Sequence, residues 1–383
     1  MAHTPEEMEP VRVMRESDFP PMKNDLYLRV ALGLEKNPPH APVWVMRQAG
    51  MYLPEYKAVR SENDFFTVCR SPELAAKVTL QPIDRYSLDA SIIFSDILVV
   101  PQALGMTCEF IEGRGPVFPE PIVTPEDLAK LKRPDVRKEL GYMLNGITLT
   151  RTKLDGRVPL IGFAGSPWTL MNYMIEGGPS REFALSKGFL YTHPDASHKL
   201  LALLTDTIVD FLVAQVEAGA QALMLFDSHA GQLSPAHFRE FSLPYMRQIA
   251  SRVKAAVEER NLNADRLGTP MGVFPKGAHY AVEDLCDSEF DIIGLDWTME
   301  RGKIVNLVSG RKVLQGNLDP STLYAPESVI RAEVRRMFEE FDGHPLVANL
   351  GYGAQKKHDP IRMGNFIDAV HLESASVYSQ RKL

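Results

Sequence analysis

The stretch MRQAGMYLPEY (46–56) sets a guanidinium, Arg47, and a carboxamide, Gln48, directly after the apolar run PVWV (42–45). Arginine stays charged at physiological pH and grips carboxylates with paired N–H donors, so this strand end reads as an anion site. A second strand end, Ile92-Ile93-Phe94-Ser95-Asp96-Ile97-Leu98, carries one carboxylate in an apolar frame. Such a carboxylate is costly unless it is hydrogen-bonded or faces a ligand. Asp96 therefore reads either as a structural cap or as an acceptor for donor groups of a bound molecule. Further apolar runs deliver Ser166 and Trp168 with Tyr173 beyond, then Asp227, Ser228 and His229, then Lys276. Three more end in Asp296 and Trp297, in Gln315 and Asn317, and in Asn349 and Tyr352.

Other chemistries lack their signatures. The chain contains no HExxH, no GxSxG, no phosphate-binding loop and no run of His, Asp and Glu at metal-ligand spacing. Ser228 and His229 are adjacent, which on a strand sends them to opposite faces and disfavours a nucleophile–base pair. What remains is a cofactor-free, metal-free site of arginines, one aspartate, tyrosine and serine. Such a site suits an anionic substrate with buried N–H groups.

The elements that must position these residues alternate between two types. Eight short apolar runs read as strands: 43–46, 91–96, 159–165, 222–228, 271–276, 292–297, 312–318 and 346–351. Helical patterns lie over 72–86, 197–220, 234–261, 326–341 and 359–379, the first opened by Ser71 as a cap and Pro72 in the first turn. Eight strands separated by helices predict a single-domain (β/α)8 TIM barrel, whose active site lies at the C-terminal strand ends. An open doubly wound sheet is the alternative; no strand runs into GxGxxG, which disfavours it.

The chain has 383 residues and a formal net charge of −7, so neither nucleic acid nor an anionic membrane is an expected partner. Cys69, Cys108 and Cys286 form no CxxC pair, and free thiols in a reducing cytoplasm are expected. No apolar run approaches the ~18–20 residues that span a bilayer. Residues 1–20, acidic and polar, are expected as a flexible N-terminal arm, and 21–383 as the barrel.

At this point the residues resemble a known family. MRQAGMYLPEY, IIFSDILVVPQALGM (92–106), GPVFPEP (115–121), GFAGSPWTLMNYMIEGG (162–178), HAGQLSP (229–235), GLDWT (294–298) and LQGNLDP (314–320) resemble uroporphyrinogen decarboxylase. The likeness runs from about Lys23 to about Val370, in the same order. It implies a homodimeric barrel that removes carbon dioxide from the acetate side chains of uroporphyrinogen, giving coproporphyrinogen in haem synthesis without a cofactor. Motif by motif, it places Arg47 and Gln48 at carboxylate-binding and proton-donating positions, Ala49 at a backbone contact and Arg60 at a second carboxylate-binding position. Asp96 matches the acceptor of the pyrrole N–H groups, and Tyr173 and Ser228 match contacts to substrate carboxylates. The resemblance thus assigns catalysis to Asp96 and Arg47 and makes a tetrapyrrole the small-molecule partner.

The match departs at two positions. The family motif has arginine where this chain has Met51, and histidine where it has Tyr352. Losing a charge-assisted contact to a carboxylate costs about 1.5–3 kcal/mol. Lys356, Lys357 and His358 follow closely and read as either a solvated loop or replacement charge. Three readings stay open: a decarboxylase with a modified pocket, a paralogue acting on another acidic substrate, and a non-catalytic barrel that binds a porphyrin or pairs with an active relative.

Overall fold

The computed structural model describes residues 11–111 and 113–380. Seven parallel strands pair in chain order: β1 (Ser91–Ile92), β2 (Leu160–Gly165), β3 (Ala222–Asp227), β4 (Met271–Pro275), β5 (Ile292–Gly294), β6 (Val313–Leu318) and β7 (Leu346–Leu350). Every residue of β2 to β7 is buried, which is why these segments read as continuous apolar runs rather than alternating ones. Eight of the surrounding helices are α1 (Pro54–Glu62), α2 (Pro72–Arg85), α3 (Gly141–Leu154), α4 (Pro167–Glu176), α5 (Pro194–Glu217), α6 (Leu243–Glu259), α7 (Glu327–Glu340) and α8 (Pro360–Gln380).

The cylinder closes through residues 42–45. The expected strand over 43–46 contracts to one bridge, Val43 with Ala348. On the β7 side, Ala348 N–H donates to the Pro42 carbonyl (2.8 Å) and Trp44 N–H to the Ala348 carbonyl (3.4 Å). On the β1 side, Asp89 N–H donates to the Val43 carbonyl (2.8 Å), and the Asp89 carboxylate takes Val43 N–H at 3.0 Å. Gln48 completes the seam: its Oε1 accepts Val45 N–H (3.1 Å) and its Nε2 donates to the Ala90 carbonyl (3.3 Å). Side chains thus do what a longer ladder does elsewhere. Pro42, which has no N–H, could not extend that ladder backwards.

Two helices differ from their expected spans. The segment expected over 234–261 breaks at Ser242, whose backbone leaves the helical region (φ −124°, ψ −59°) and whose hydroxyl donates to Asp227 at 2.7 Å. Pro244 then sits in the first turn of α6, where its missing N–H is harmless. Helix α5 starts at Pro194 rather than Ser197, and the Ser197 hydroxyl bonds back to the His193 carbonyl (3.0 Å).

Of the expected arm, residues 1–10 lie outside the described residues, while 11–20 lie against the barrel. Phe19 is buried, and its ring takes Arg151 Cζ at 5.0 Å. Glu16 receives Arg151, which is fully buried, and Arg266 Nε at 3.1 Å. Burial without a counter-ion would push both guanidiniums toward neutrality; Glu16 opposes that. Removing one partner of a buried pair leaves the other charge uncompensated, at a cost of about 3–5 kcal/mol. Glu16→Gln is therefore expected to lower the free energy of urea unfolding by that much, measured by tryptophan fluorescence; a change below ~1 kcal/mol would refute the assignment.

Candidate active site at the strand ends

Two residues past the closing seam, Arg47 has a left-handed backbone (φ 62°), uncommon for a residue with a Cβ. Its guanidinium lies on the Tyr352 ring, Cζ 5.1 Å from the centroid, and Nη2 reaches the Tyr352 hydroxyl at 3.4 Å. The arginine stem crosses Gly353 so closely that a Cβ there would stand 2.5 Å from Arg47 Cδ. One residue before Tyr352, a Cβ on Gly351 would lie 2.3 Å from Trp297 N. The Gly-Tyr-Gly spacing is therefore steric: bare backbone on both sides lets the Tyr352 ring fit between Arg47 and Trp297. Lys276 also faces that ring, with Nζ 4.7 Å from its centroid, and stands 6.0 Å from the Trp297 ring centre. Trp297 is 39% exposed, whereas Trp44 and Trp168 are fully buried.

Asp96 is half-buried beyond β1, with Leu98 N–H on its Oδ1 at 2.8 Å. Burial pushes its carboxyl upward, while that N–H and the Arg47 charge hold it down. Tyr173 lies in the same field. Burial first, then the Asp96 and Tyr352 oxygens, push its phenol up to about 12, with Arg47 opposing. Arg47, Asp96, Tyr173 and Tyr352 thus share one electrostatic neighbourhood, drawn from four separate segments. Tyr173 enters it as a neutral donor.

Other expected site residues fare differently. Arg60 is half-buried on α1, donates to the Asn63 carbonyl (2.8 Å) and faces the Phe65 ring at 5.6 Å. Ser228 and Ala49 are half-buried at their strand ends. Gln48 is buried and holds the seam with both ends of its amide. Asp227 is buried between Thr169 Oγ1 and Ser242 Oγ, each at 2.7 Å, and Asp296 takes Gly277 N–H at 2.6 Å; both are structural. Gln315 accepts Trp44 Nε1–H at 2.9 Å, and Asn317 donates to the Asp296 carbonyl at 2.8 Å. Lys356 and Lys357 are exposed, on a loop pinned where Gln355 N–H donates to His358 Nδ1 (3.1 Å).

The sequence brings His229 to a strand end but gives it no role. Its ring packs against Tyr173 (5.1 Å) and Phe183 (4.6 Å). Burial, then the Lys276 charge, lower its pKa to about 4, so it is a neutral imidazole at pH 7. The burying rings of Tyr173 and Phe183 and the Lys276 charge come together only in the fold, and no local pattern announces them.

A parallel barrel with cations, one carboxylate and neutral hydroxyl donors at its C-terminal mouth defines a barrel protein built to hold an anionic ligand. Comparison with known proteins takes the assignment further. The family model described as uroporphyrinogen decarboxylase (URO-D) matches residues 22–372. Proteins named uroporphyrinogen decarboxylase from Danio rerio and Homo sapiens are each 52% identical, over 93% of this chain and 95% and 96% of theirs. One from Salinibacter ruber is 50% identical over 94% of this chain and 98% of its own. The chain belongs to the uroporphyrinogen decarboxylase family. Among solved structures, a methyltransferase from Methanosarcina mazei superposes with a TM-score of 0.73 at 20% identity, covering 91% of this chain and 98% of that one. That likeness concerns the fold alone.

The His229 shift predicts a pH effect on stability. Its folded pKa lies below the unfolded value, so between about 4 and 6.5 the unfolded chain holds more protons. Stability therefore rises with pH across that window and is lost as pH falls, by an amount on the order of 3 kcal/mol. His229→Gln is expected to flatten the urea midpoint between pH 6.5 and 4 relative to wild type; parallel profiles would contradict the assignment.

Proposed function

We propose that this protein decarboxylates the acetate side chains of uroporphyrinogen, giving coproporphyrinogen. Membership of the family carries the reaction class, and the coupling of Arg47, Asp96 and Tyr173 at one mouth carries the chemistry. An acetate on a pyrrole loses carbon dioxide only if the ring accepts the electron pair of the breaking C–C bond. Protonation of the ring at carbon makes it that sink. Asp96 accepts the pyrrole N–H groups and stabilises the cation in a pocket of low dielectric. When carbon dioxide leaves, the pair enters the ring; protonation of the side-chain carbon and loss of the ring proton then leave a methyl group and a neutral pyrrole. Arg47 and Arg60 bind substrate carboxylates. Tyr173 and Ser228 donate hydroxyls to them, and Ala49 offers a backbone contact. Arg47 serves better as a binding group than as the acid, because a guanidinium grips carboxylates with paired donors and gives up its proton with difficulty. Gln48, committed to the seam, contributes by fixing Arg47.

The proposal includes a homodimer in the cytoplasm. Three buried, unpaired cysteines support a reducing compartment. No helix among the described residues is long and apolar enough to cross a membrane. A second reading, a paralogue acting on another acidic substrate, draws support from Met51, an exposed thioether where the family motif has arginine, and from Tyr352.

Anaerobic incubation with uroporphyrinogen III, followed by oxidation and counting of remaining carboxylates, tests the first reading; conversion to coproporphyrin is expected. Asp96→Asn should lower kcat by at least ~100-fold with the fold intact by circular dichroism, and unchanged turnover would sink the assignment. The acid limb of kcat/KM should lie above the ordinary aspartate range and move further up in Arg47→Met, since Arg47 holds the carboxyl down. Under the second reading, Met51→Arg with Tyr352→His raises turnover of uroporphyrinogen sharply; no gain from the pair would count against it.

A further inference from the structure

We propose that His40, Asp89 and His371 form a binding site for one divalent transition-metal ion of zinc-like chemistry, on the face of the barrel opposite the active site. His40 precedes the closing run, Asp89 precedes β1 and His371 lies on α8, so the fold gathers them at the N-terminal strand ends. One ring nitrogen of each imidazole and one Asp89 oxygen lie within 4.8 Å of one another. Two imidazoles and a carboxylate are the donor set of three-ligand zinc sites, with a fourth position left for water.

Each donor is already oriented. Asp89 Oδ1 accepts Asn24 Nδ2–H (3.0 Å), and Oδ2 accepts Val43 N–H (3.0 Å), which fixes the carboxylate plane. The second lone pair of Oδ2 faces His371 Nε2 at 3.0 Å. His40 Nδ1 lies 3.1 Å from the Ala41 carbonyl, an acceptor only, so in the neutral ring Nδ1 carries the proton and Nε2 keeps its lone pair. A carbonyl behind a histidine is the usual partner that orients a metal-bound ring. The rings stand 4.2 Å apart, tilted by 50°, and both histidines are half-buried, so an ion can reach them. Ligands on a tetrahedral ion stand roughly 3.3 Å apart at bond lengths of ~2.0–2.1 Å. Small side-chain rotations therefore close the site. The ion takes the place of the proton on His371 Nε2, and the ring stays neutral by carrying that one proton on Nδ1 instead.

An ion here would join three segments around the seam that closes the barrel, binding the folded chain and not the unfolded one. Full-length protein stripped with chelator and titrated with Zn²⁺ by calorimetry should bind one equivalent at this site, and its Tm should rise with Zn²⁺. His40→Ala should weaken that event by more than about tenfold and abolish the rise in Tm, and His371→Ala should do the same. Asp89→Asn would also loosen the seam, so the two histidine variants carry the test. Co²⁺ gives a second readout: d–d bands without a thiolate charge-transfer band, because no cysteine belongs to the site. Wild-type Zn²⁺ affinity in His40→Ala, no binding by the wild type at micromolar protein, or a thiolate band with Co²⁺ would each overturn the proposal.

Discussion

The barrel depends on a seam that barely qualifies as sheet. Between β7 and β1 the backbone offers a single bridge at Val43. Beyond it, one backbone bond from Asp89 N–H to the Val43 carbonyl is joined by side chains: Asp89 on Val43 N–H, Gln48 on Val45 N–H and the Ala90 carbonyl, and Asn349 on Met46 N–H. All of these groups are buried, where an unpaired polar atom costs about 1–3 kcal/mol, so the seam is enforced by the penalty for opening it. Arg47 emerges four residues beyond the bridge. Its left-handed backbone is fixed on one side by Gln48 and on the other by Ala354 N–H, which donates to the Met46 carbonyl at 2.8 Å. The fold's most delicate junction and the mouth's principal cation are one local structure.

The electrostatics of the mouth follow from what burial does to each group. Desolvation keeps Tyr173 protonated and His229 uncharged, so both enter as dipoles rather than ions. Charge is left to Asp96 and to the cations. Arg47 and Lys276 both face the Tyr352 ring, and an aromatic face attracts cations through its quadrupole by about 0.5–2 kcal/mol each. The ring thus offsets part of the repulsion between two like charges held at one opening. In a chain of net charge −7, this local positive field has to be built residue by residue.

The strands were largely legible because parallel strands buried on both faces leave unbroken apolar runs; β2, β3, β4, β6 and β7 each lie within the run that announced them. The seam was not, because its bonds come from side chains that look like site residues in the sequence. Gln48 is the clearest case: its position beside Arg47 suggested substrate contact, and its amide is spent on backbone. Arg47, Asp96 and Tyr173 stood out as candidates because of their types at or just beyond strand ends, and the fold sets them in one electrostatic neighbourhood. His229 and Lys276 stood at strand ends without a role, and the trio His40, Asp89 and His371 left no pattern at all. His371 meets Asp89 across 282 residues, a separation over which spacing carries no signal.

The exchange at position 352 is best understood through that same ring. An imidazole there would present its ring nitrogens to a substrate. A phenol presents a hydroxyl, which meets Arg47 at 3.4 Å, and a face, which holds Lys276 at 4.7 Å. The tyrosine therefore ties two cations to the mouth and stands as a donor between them. Met51, exposed and without charge, has no such compensation in its own side chain. Lys276, over the Tyr352 ring, stands free of any side-chain carboxylate within ion-pair distance among the described residues. The two departures from the family motif thus differ in kind: Tyr352 gathers Arg47 and Lys276 on an aromatic face, whereas Met51 brings a thioether without charge.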